Sequence, residues 1–169
     1  MGDRYAMTTD DLRKTCCCFT GHRPQFLKRP EDDIKADLEN SILQAIPEGY
    51  TTFITGMACG VDIWAAEIVL RLKASTHREL HLVAAIPFPG FNNAWDEEWK
   101  HRYCAILSKA EYVKVLGPAF SRGIYQIRNQ WMVDYSAKVI AVYNGQPGGT
   151  RNTIQYARRR KVPVVLLEG

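Results

Sequence analysis

The sequence has no long apolar run and no large excess of charge of either sign. No stretch approaches the roughly 20 apolar residues that a membrane-spanning helix needs, so we expect no membrane partner. The 169 residues carry 22 basic and 18 acidic side chains, and this net charge of +4 is small for an extended duplex-DNA-binding surface. With 46% hydrophobic and 24% charged residues, the composition is typical of a globular protein. It excludes collagen, coiled coils and long disordered tails.

The five cysteines match neither a disulfide framework nor a metal site. Cys16, Cys17 and Cys18 are consecutive, Cys59 and Cys104 are isolated, and no C-x-x-C pair occurs. In a strand, alternate side chains point to opposite faces, so the three consecutive thiols cannot converge on one ion. The pattern predicts no metal site and indicates small buried side chains in a reducing compartment, which we expect to be the cytoplasm.

Short apolar runs alternate with amphipathic segments along the chain. The apolar runs predict six strands, at residues 15–20, 51–55, 80–86, 112–116, 138–143 and 163–167. The segments between them predict five helices, at residues 30–46, 61–73, 95–110, 124–136 and 152–160. Apolar strands separated by helices are typical of a parallel sheet that is covered on both faces. The sequence therefore predicts an α/β fold, a three-layer Rossmann-like domain with a mostly parallel sheet of about six strands.

This domain is predicted as a single unit over residues 15–169. Residues 1–14 are polar and lack the apolar segment of a secretion signal, so we expect a loose N-terminal tail there.

Glycine clusters follow three of the predicted strands. They are Gly21, Gly56 with Gly60, and Gly148 with Gly149. Ligands of open parallel sheets bind beyond the carboxyl ends of the strands, where glycine lets backbone N–H groups and helix N-termini approach a phosphate. Neither G-x-x-x-x-G-K-[ST] nor G-x-G-x-x-G is present, which excludes a P-loop NTPase and argues against an ordinary NAD dehydrogenase. The clusters predict a different kind of phosphate-binding edge.

Polar residues near the first two turns have structural and functional explanations of equal standing. His22 contacts a phosphate, or it is held by the turn backbone. Arg23 contacts a phosphate, or it is a surface side chain beside Pro24. Asp62 holds a ribose hydroxyl, or it serves as an acid at a helix start.

The later motifs are open in the same way. Arg128 and Asn129 suit phosphate or base-edge contacts, and they equally suit a surface pair. Thr150 caps the last helix and is also a phosphate donor. Cys59 is a weak candidate for a nucleophile at a helix start. A group of aromatic residues after the third strand either stacks a base or packs a helix on the sheet: Phe88, Phe91, Trp95 and Trp99.

Together these residues resemble the SLOG superfamily, which includes the DprA-like DNA-processing proteins and the LOG phosphoribohydrolases. The resemblance is carried by Gly21-His22-Arg23-Pro24, Gly56-x-x-x-Gly60-x-Asp62, Arg128-Asn129 and Gly148-Gly149-Thr150. The bacterial YpsA-like (DUF1273) branch is the most similar, in its length and its C-F-T-G-H-R-P opening. The resemblance covers residues 15–168 and implies a Rossmann-like fold with a pocket for a small nucleotide or nucleotide-derived ligand. The implied pocket residues are Gly21, His22, Arg23, Gly56, Gly60, Asp62, Arg128, Asn129, Gly148, Gly149 and Thr150.

One departure from the LOG pattern bears on catalysis. The LOG enzymes carry P-G-G-x-G-T-x-x-E, and their glutamate takes part in cleaving the N-glycosidic bond, whereas Thr153 stands at that place here. The sequence therefore favours a cytoplasmic binding protein, a sensor or regulator, with no catalytic residue assigned and no certain cofactor.

Two alternatives stay open. An N-glycosidase acting on nucleoside monophosphates or an NAD-like ligand would need its acid or base from Asp62, Glu97, Glu98 or Asp134. A DprA-like binder of single-stranded DNA would show affinity that falls steeply with salt. A homodimer is also open, because apolar helix faces fit an interface and core packing equally well.

Overall fold

The computed structural model describes residues 9–169, and six parallel strands form its sheet. The strands are β1 (Cys16–Gly21), β2 (Thr52–Thr55), β3 (His81–Ile86), β4 (Tyr112–Val115), β5 (Lys138–Tyr143) and β6 (Val164–Glu168). The helices of the described residues are α1 (Thr9–Lys14), α2 (Glu31–Ala45), α3 (Val61–Ser75), α4 (Glu97–Leu107), α5 (Ile124–Asp134) and α6 (Gly149–Arg159). Short 3₁₀ turns cover Pro24–Phe26 and Ile46–Glu48. The predicted Rossmann-like α/β fold is confirmed.

The strand order is β4-β3-β2-β1-β5-β6, and every neighbouring pair is parallel. From β1 the chain builds the sheet outward through β2, β3 and β4. It then crosses back and adds β5 on the other side of β1. The connections that leave β1 and β5 therefore run in opposite directions. Such a topological switch point opens a crevice beyond the carboxyl ends of the two strands.

The helices form one layer on each face of the sheet, and β1 shows how its residues divide between them. Cys17 and Phe19 pack into the core under α2, α3 and α4, while Cys18 packs into the core under α5 and α6. All three side chains are at most 1% exposed. The thiols of Cys17 and Cys18 thus point to opposite faces, as the strand periodicity predicts.

The predicted N-terminal tail contains a helix. Residues 1–8 lie outside the described residues, and Thr9–Lys14 forms α1 instead of a loose segment. Asp10 and Asp11 lie in its first turn and Arg13 and Lys14 in its last, an arrangement that complements the helix dipole. In the part of the chain that the structure describes, no helix is long and apolar enough to cross a membrane.

The predicted element boundaries agree with the structure to within three residues, and one of the two three-residue shifts bears on function. Helix α6 begins at Gly149, three residues before the predicted start. Gly148 precedes it with φ of 147°, a backbone conformation that favours glycine. The earlier start places Gly149 and Thr150 in the first turn, where backbone N–H groups have no partner within the helix.

Candidate functional site

A cavity of about 520 Å³ lies where the segments after β1 and β5 meet the starts of α3 and α6 and one face of α5. We call it the switch-point cavity. The structure brings nine of the eleven predicted site residues to its lining, and these are Gly21, His22, Arg23, Asp62, Arg128, Asn129, Gly148, Gly149 and Thr150. Four distant parts of the sequence thus meet at one edge of the sheet.

The other two predicted residues, Gly56 and Gly60, do not line the cavity. A Cβ on Gly56 would lie 2.7 Å from Arg128 Nη1 and from Asp62 Oδ2. Gly60 has φ of 92°, and a Cβ there would lie 2.7 Å from Pro24 Cδ. Both glycines therefore make room for their neighbours.

Asp62 and Arg128 are two buried charged side chains in the cavity lining. Only 7% of Asp62 and 6% of Arg128 are exposed. Asp62 Oδ2 accepts a hydrogen bond from the Ala58 N–H at 3.3 Å, and Arg128 Nη1 donates to the Gly56 carbonyl oxygen. Burial raises the pKa of Asp62 to about 6, while the Arg128 charge opposes that rise. Burial also lowers the pKa of Arg128, and the Asp62 charge offsets part of this effect.

Asp62 has one carboxylate oxygen without a partner. Among the described residues, Oδ1 is buried and makes no hydrogen bond. A buried carboxylate oxygen without a donor is costly, and such atoms in native structures commonly mark a place for a ligand or water.

Asn129 connects this pair to the start of α6. Its Oδ1 accepts a hydrogen bond from Arg128 Nε at 2.8 Å, so its amide nitrogen Nδ2 takes no part in this contact. A Cβ on Gly149 would lie 3.9 Å from Asn129 Nδ2. Gly148, at the N-cap of α6, provides no side-chain acceptor for the first-turn N–H groups. Backbone and amide donors therefore converge at one end of the cavity.

The turn after β1 supplies an imidazole and a guanidinium. The His22 ring stacks on Tyr143 at 5.6 Å between centroids, and its buried Nε2 has no hydrogen-bond partner in the described residues. Burial lowers the pKa of His22, which favours the neutral ring near pH 7. Arg23 is exposed and makes no ion pair with any described residue, so its charge is available to an anion.

Phe91, which the sequence offers as a candidate for base stacking, also lines the cavity. Sequence reasoning missed other lining residues, among them Phe26, Lys28, Tyr125, Asn144 and Gln146. Asn144 and Gln146 directly follow β5, so the strand-end rule could have found them. Asn144 Nδ2 donates to the Phe26 carbonyl at 2.7 Å, and Lys28 Nζ donates to the Asn144 carbonyl at 3.4 Å. These contacts join the segments after β1 and β5 into one wall. No sequence pattern connects Tyr125, on α5, with Phe91.

The acids proposed for catalysis are scattered. Glu97 and Glu98 lie in the first turn of α4, where they pair with Lys100 and Arg102. Asp134 accepts hydrogen bonds from Tyr156 and Arg160, away from the cavity. Asp62 is the one carboxylate in the cavity lining among the described residues.

Two other positions that bear on catalysis, Thr153 and Cys59, do not carry an activated side chain. Thr153, at the place of the LOG glutamate, is 2% exposed and donates to the Gly149 carbonyl at 2.9 Å. Burial raises the pKa of Cys59 to about 11, so its thiol is not activated at neutral pH. Within residues 9–169, no group of three metal-binding side chains is placed to hold an ion.

A larger groove of about 950 Å³ lies between α3 and α4 on the outer surface. Three of its basic side chains, those of Arg71, Lys73 and Arg102, already pair with Glu39, Glu111 and Glu67. None of the predicted site residues lines this groove. The groove therefore lies apart from the glycine turns and from the start of α6.

Comparison with known proteins identifies the family of this chain. The chain matches the family model YpsA, described as the YspA SLOG family, over residues 17–164. It is 31% identical over 131 residues to a UPF0398 protein of Halalkalibacterium halodurans, which covers 76% of this chain and 69% of that one. It is 33% identical over 148 residues to the SPbeta prophage-derived protein YoqJ of Bacillus subtilis, with 80% and 84% covered.

Two solved structures share the fold. One is DNA processing protein A from Helicobacter pylori, studied for its single-stranded DNA binding mode, with a TM-score of 0.63, 20% identity, and 95% of this chain and 68% of that chain covered. The other is DprA from Streptococcus pneumoniae, with a TM-score of 0.65, 16% identity, and 94% and 52% covered. This chain thus spans about half of the pneumococcal protein. At these identities the two structures show a shared fold alone. The family-model match and the two relatives above 30% identity show that the chain belongs to the YspA SLOG family.

Proposed function

We propose that this protein binds a nucleotide or nucleotide-derived ligand in the switch-point cavity and acts as a sensor or regulator without catalysis of its own. The observation that carries the proposal is the convergence of unpaired donors and an unpaired acceptor on one cavity. The first turn of α6 and Arg23 supply donors, and Asp62 Oδ1 is the acceptor. An anionic phosphate joined to a hydroxylated sugar has the matching groups.

The phosphate would lie at the start of α6. Backbone N–H groups and the positive end of the helix dipole favour an anion there. Asn129 Nδ2 lies beside that turn, and three cationic side chains line the cavity: Arg23, Lys28 and Arg128. Because Arg23 is exposed and free of ion pairs among the described residues, its charge is available to pair with the phosphate.

The sugar would lie against Asp62. Its Oδ1 lacks a donor, and a ribose hydroxyl provides one. A hydrogen bond to a buried carboxylate is charge-assisted and stronger than a neutral one. Asp62 thus supports the preference for a ligand that carries a ribose.

The same geometry favours binding over glycoside cleavage. Enzymes that hydrolyse glycosidic bonds commonly use two carboxylates that flank the bond. Among the described residues, Asp62 is the single carboxylate in the cavity lining, and Thr153 is held by the α6 backbone.

Single-stranded DNA is the second candidate ligand, favoured by the fold shared with DNA processing protein A of Helicobacter pylori. It makes a separate prediction. Binding that involves many phosphates weakens steeply as salt rises, whereas binding of one small nucleotide loses far less affinity.

A thermal-shift panel of mononucleotides, dinucleotides, ADP-ribose and short single-stranded DNA tests the proposal. A ligand at 100 times its Kd adds about 2.7 kcal/mol of stability, which raises the melting temperature by roughly 5–10 °C for a chain of this size. Arg23→Ala should abolish the shift. Arg78→Ala removes an exposed arginine before β3, away from the cavity, and should leave it unchanged. Absence of a shift with every compound at millimolar concentration contradicts the proposal.

A further inference from the structure

Four aromatic rings form a continuous surface at the mouth of the switch-point cavity. Phe88 is in the centre, with ring centroids 6.1 Å from Phe91, 5.8 Å from Phe120 and 6.0 Å from Tyr125. All three contacts are edge-to-face, the geometry that aromatic rings prefer. We call these four residues the aromatic face. They come from the segments after β3 and β4 and from the first turn of α5.

The aromatic face is exposed on one side and reaches the cavity on the other. Phe120 is 66% exposed and Tyr125 is 40% exposed. Phe91 and Tyr125 line the same cavity as Asp62 and the start of α6. Single exposed apolar residues are common, but a contiguous exposed aromatic patch beside polar groups marks a binding surface.

The inner part of the cluster explains why the surface is rigid. Phe91 packs edge-to-face against Trp95 at 5.1 Å and against Tyr103 at 5.6 Å. Tyr103 is 6% exposed and belongs to the core under α3 and α4. The ring of Phe91 is therefore fixed by the core, and through Phe88 it supports the two exposed rings. A flat ligand group would meet a preorganised surface at little entropic cost.

We propose that the aromatic face stacks the heterocyclic base of the ligand whose phosphate lies at the start of α6; this rests on the proposed function. The cavity lining holds both anion donors and aromatic rings, which matches the phosphate and the base of a nucleotide. Every nucleobase has a π-face, so stacking contributes to affinity without selecting one base over another. Tyr125 belongs to both the cavity lining and the exposed patch, so its substitution should lower nucleotide affinity the most.

The test measures Kd by calorimetry for the four ribonucleoside monophosphates and for ribose 5-phosphate, which lacks a base. Tyr125→Ala should weaken nucleotide binding by about tenfold, because base stacking on an aromatic ring contributes on that order. It should leave ribose 5-phosphate unchanged. Tyr125→Phe retains the ring and should retain nucleotide affinity. Tyr112→Ala removes a tyrosine that is 55% exposed on β4, off the cavity lining, and should leave both ligands unaffected.

The outcomes separate this inference from the proposed function. If wild type binds nucleotides and ribose 5-phosphate equally well, or if Tyr125→Ala weakens both alike, the aromatic face does not stack the base. Phe120→Ala, at an exposed loop residue whose loss does not disturb the core, must show the same selective weakening. If wild type binds neither kind of ligand, the proposed function fails and this inference fails with it.

Discussion

The buried carboxylate of Asp62 should make the stability of this protein depend on pH in a way that Asp62→Asn removes. Burial raises the pKa of Asp62 to about 6 from an ordinary value of 3.8. A carboxyl group with a raised pKa takes up its proton more readily in the folded state than in the unfolded state. Its contribution to stability is therefore fully present below the unfolded pKa and is lost as pH rises through the folded pKa.

The size of the effect follows from the two pKa values. At pH 7 the carboxyl group is ionised in both states, so it adds no proton-linked stability. At pH 5 the folded state is mostly protonated at Asp62 while the unfolded state is mostly ionised, which stabilises the fold by about 1 kcal/mol. In Asp62→Asn this gain is absent. The substitution also removes the carboxylate whose charge offsets part of the burial effect on Arg128, and this pH-independent difference cancels when the two pH values are compared.

Urea unfolding of both proteins at pH 7 and pH 5 measures the effect. The free energy of unfolding of wild type minus that of Asp62→Asn should be larger at pH 5 by about 1 kcal/mol. Taking the difference between the two proteins cancels the titration of His22 and of exposed carboxyl groups. A difference that stays constant, or that shrinks toward pH 5, refutes the reasoning. An NMR titration of the Asp62 carboxyl carbon provides the same pKa without unfolding.

Three further predictions concern glycines and thiols. Gly56→Ala should destabilise the fold by about 1–3 kcal/mol in urea unfolding because its Cβ would displace the buried side chains of Arg128 and Asp62. Gly149→Ala, with no close neighbour, should change stability by less than about 1 kcal/mol. Gly60→Ala should also cost about 1–3 kcal/mol, since it combines φ of 92° with a close contact to Pro24; an unchanged midpoint would contradict this. Alkylation mapped by mass spectrometry at pH 7.5 should modify exposed Cys104 at least about tenfold faster than Cys59, because burial raises the pKa of Cys59 to about 11; faster reaction at Cys59 would contradict this.

Periodicity was enough to predict the sheet and the edge that carries the candidate site. In runs such as residues 138–143, the residues that the two helix layers cover are apolar. One apolar pattern therefore predicts both the strand and its burial. Once the strands are parallel, their carboxyl ends share an edge, and the glycines at those ends must come together. This reasoning brought Gly21, Asp62 and Gly149 to one cavity although they are far apart in sequence.

The sequence could not separate glycines that contact a ligand from glycines that make room for packing. A Cβ on Gly21 would lie 2.5 Å from Val61 Cβ, so this glycine allows α3 to approach β1 as well as lining the cavity. Gly56 leaves space for a pair whose two members are six and 72 positions away. Such contacts depend on how helices dock on the sheet, which local spacing does not encode.

The sequence offered Phe88 and Phe91 for base stacking, but it did not connect them with Phe120 and Tyr125, and it did not predict helix α1. Phe88 and Phe120 are separated by the whole of α4 and β4, and only the packed structure shows their rings in contact. The segment of α1 has six residues and too few apolar positions to reveal a period, so its charges were the single signal of a helix.

The central claim is that a nucleotide phosphate lies at the start of α6, in the switch-point cavity. The most direct measurement is a ¹H–¹⁵N NMR titration of the full chain with the nucleotide that produces the largest thermal shift. The largest amide shifts should be those of Gly148, Gly149 and Thr150, with smaller shifts at Gly21 and His22. Shifts confined to the groove between α3 and α4, or no shifts at millimolar nucleotide, would contradict the account.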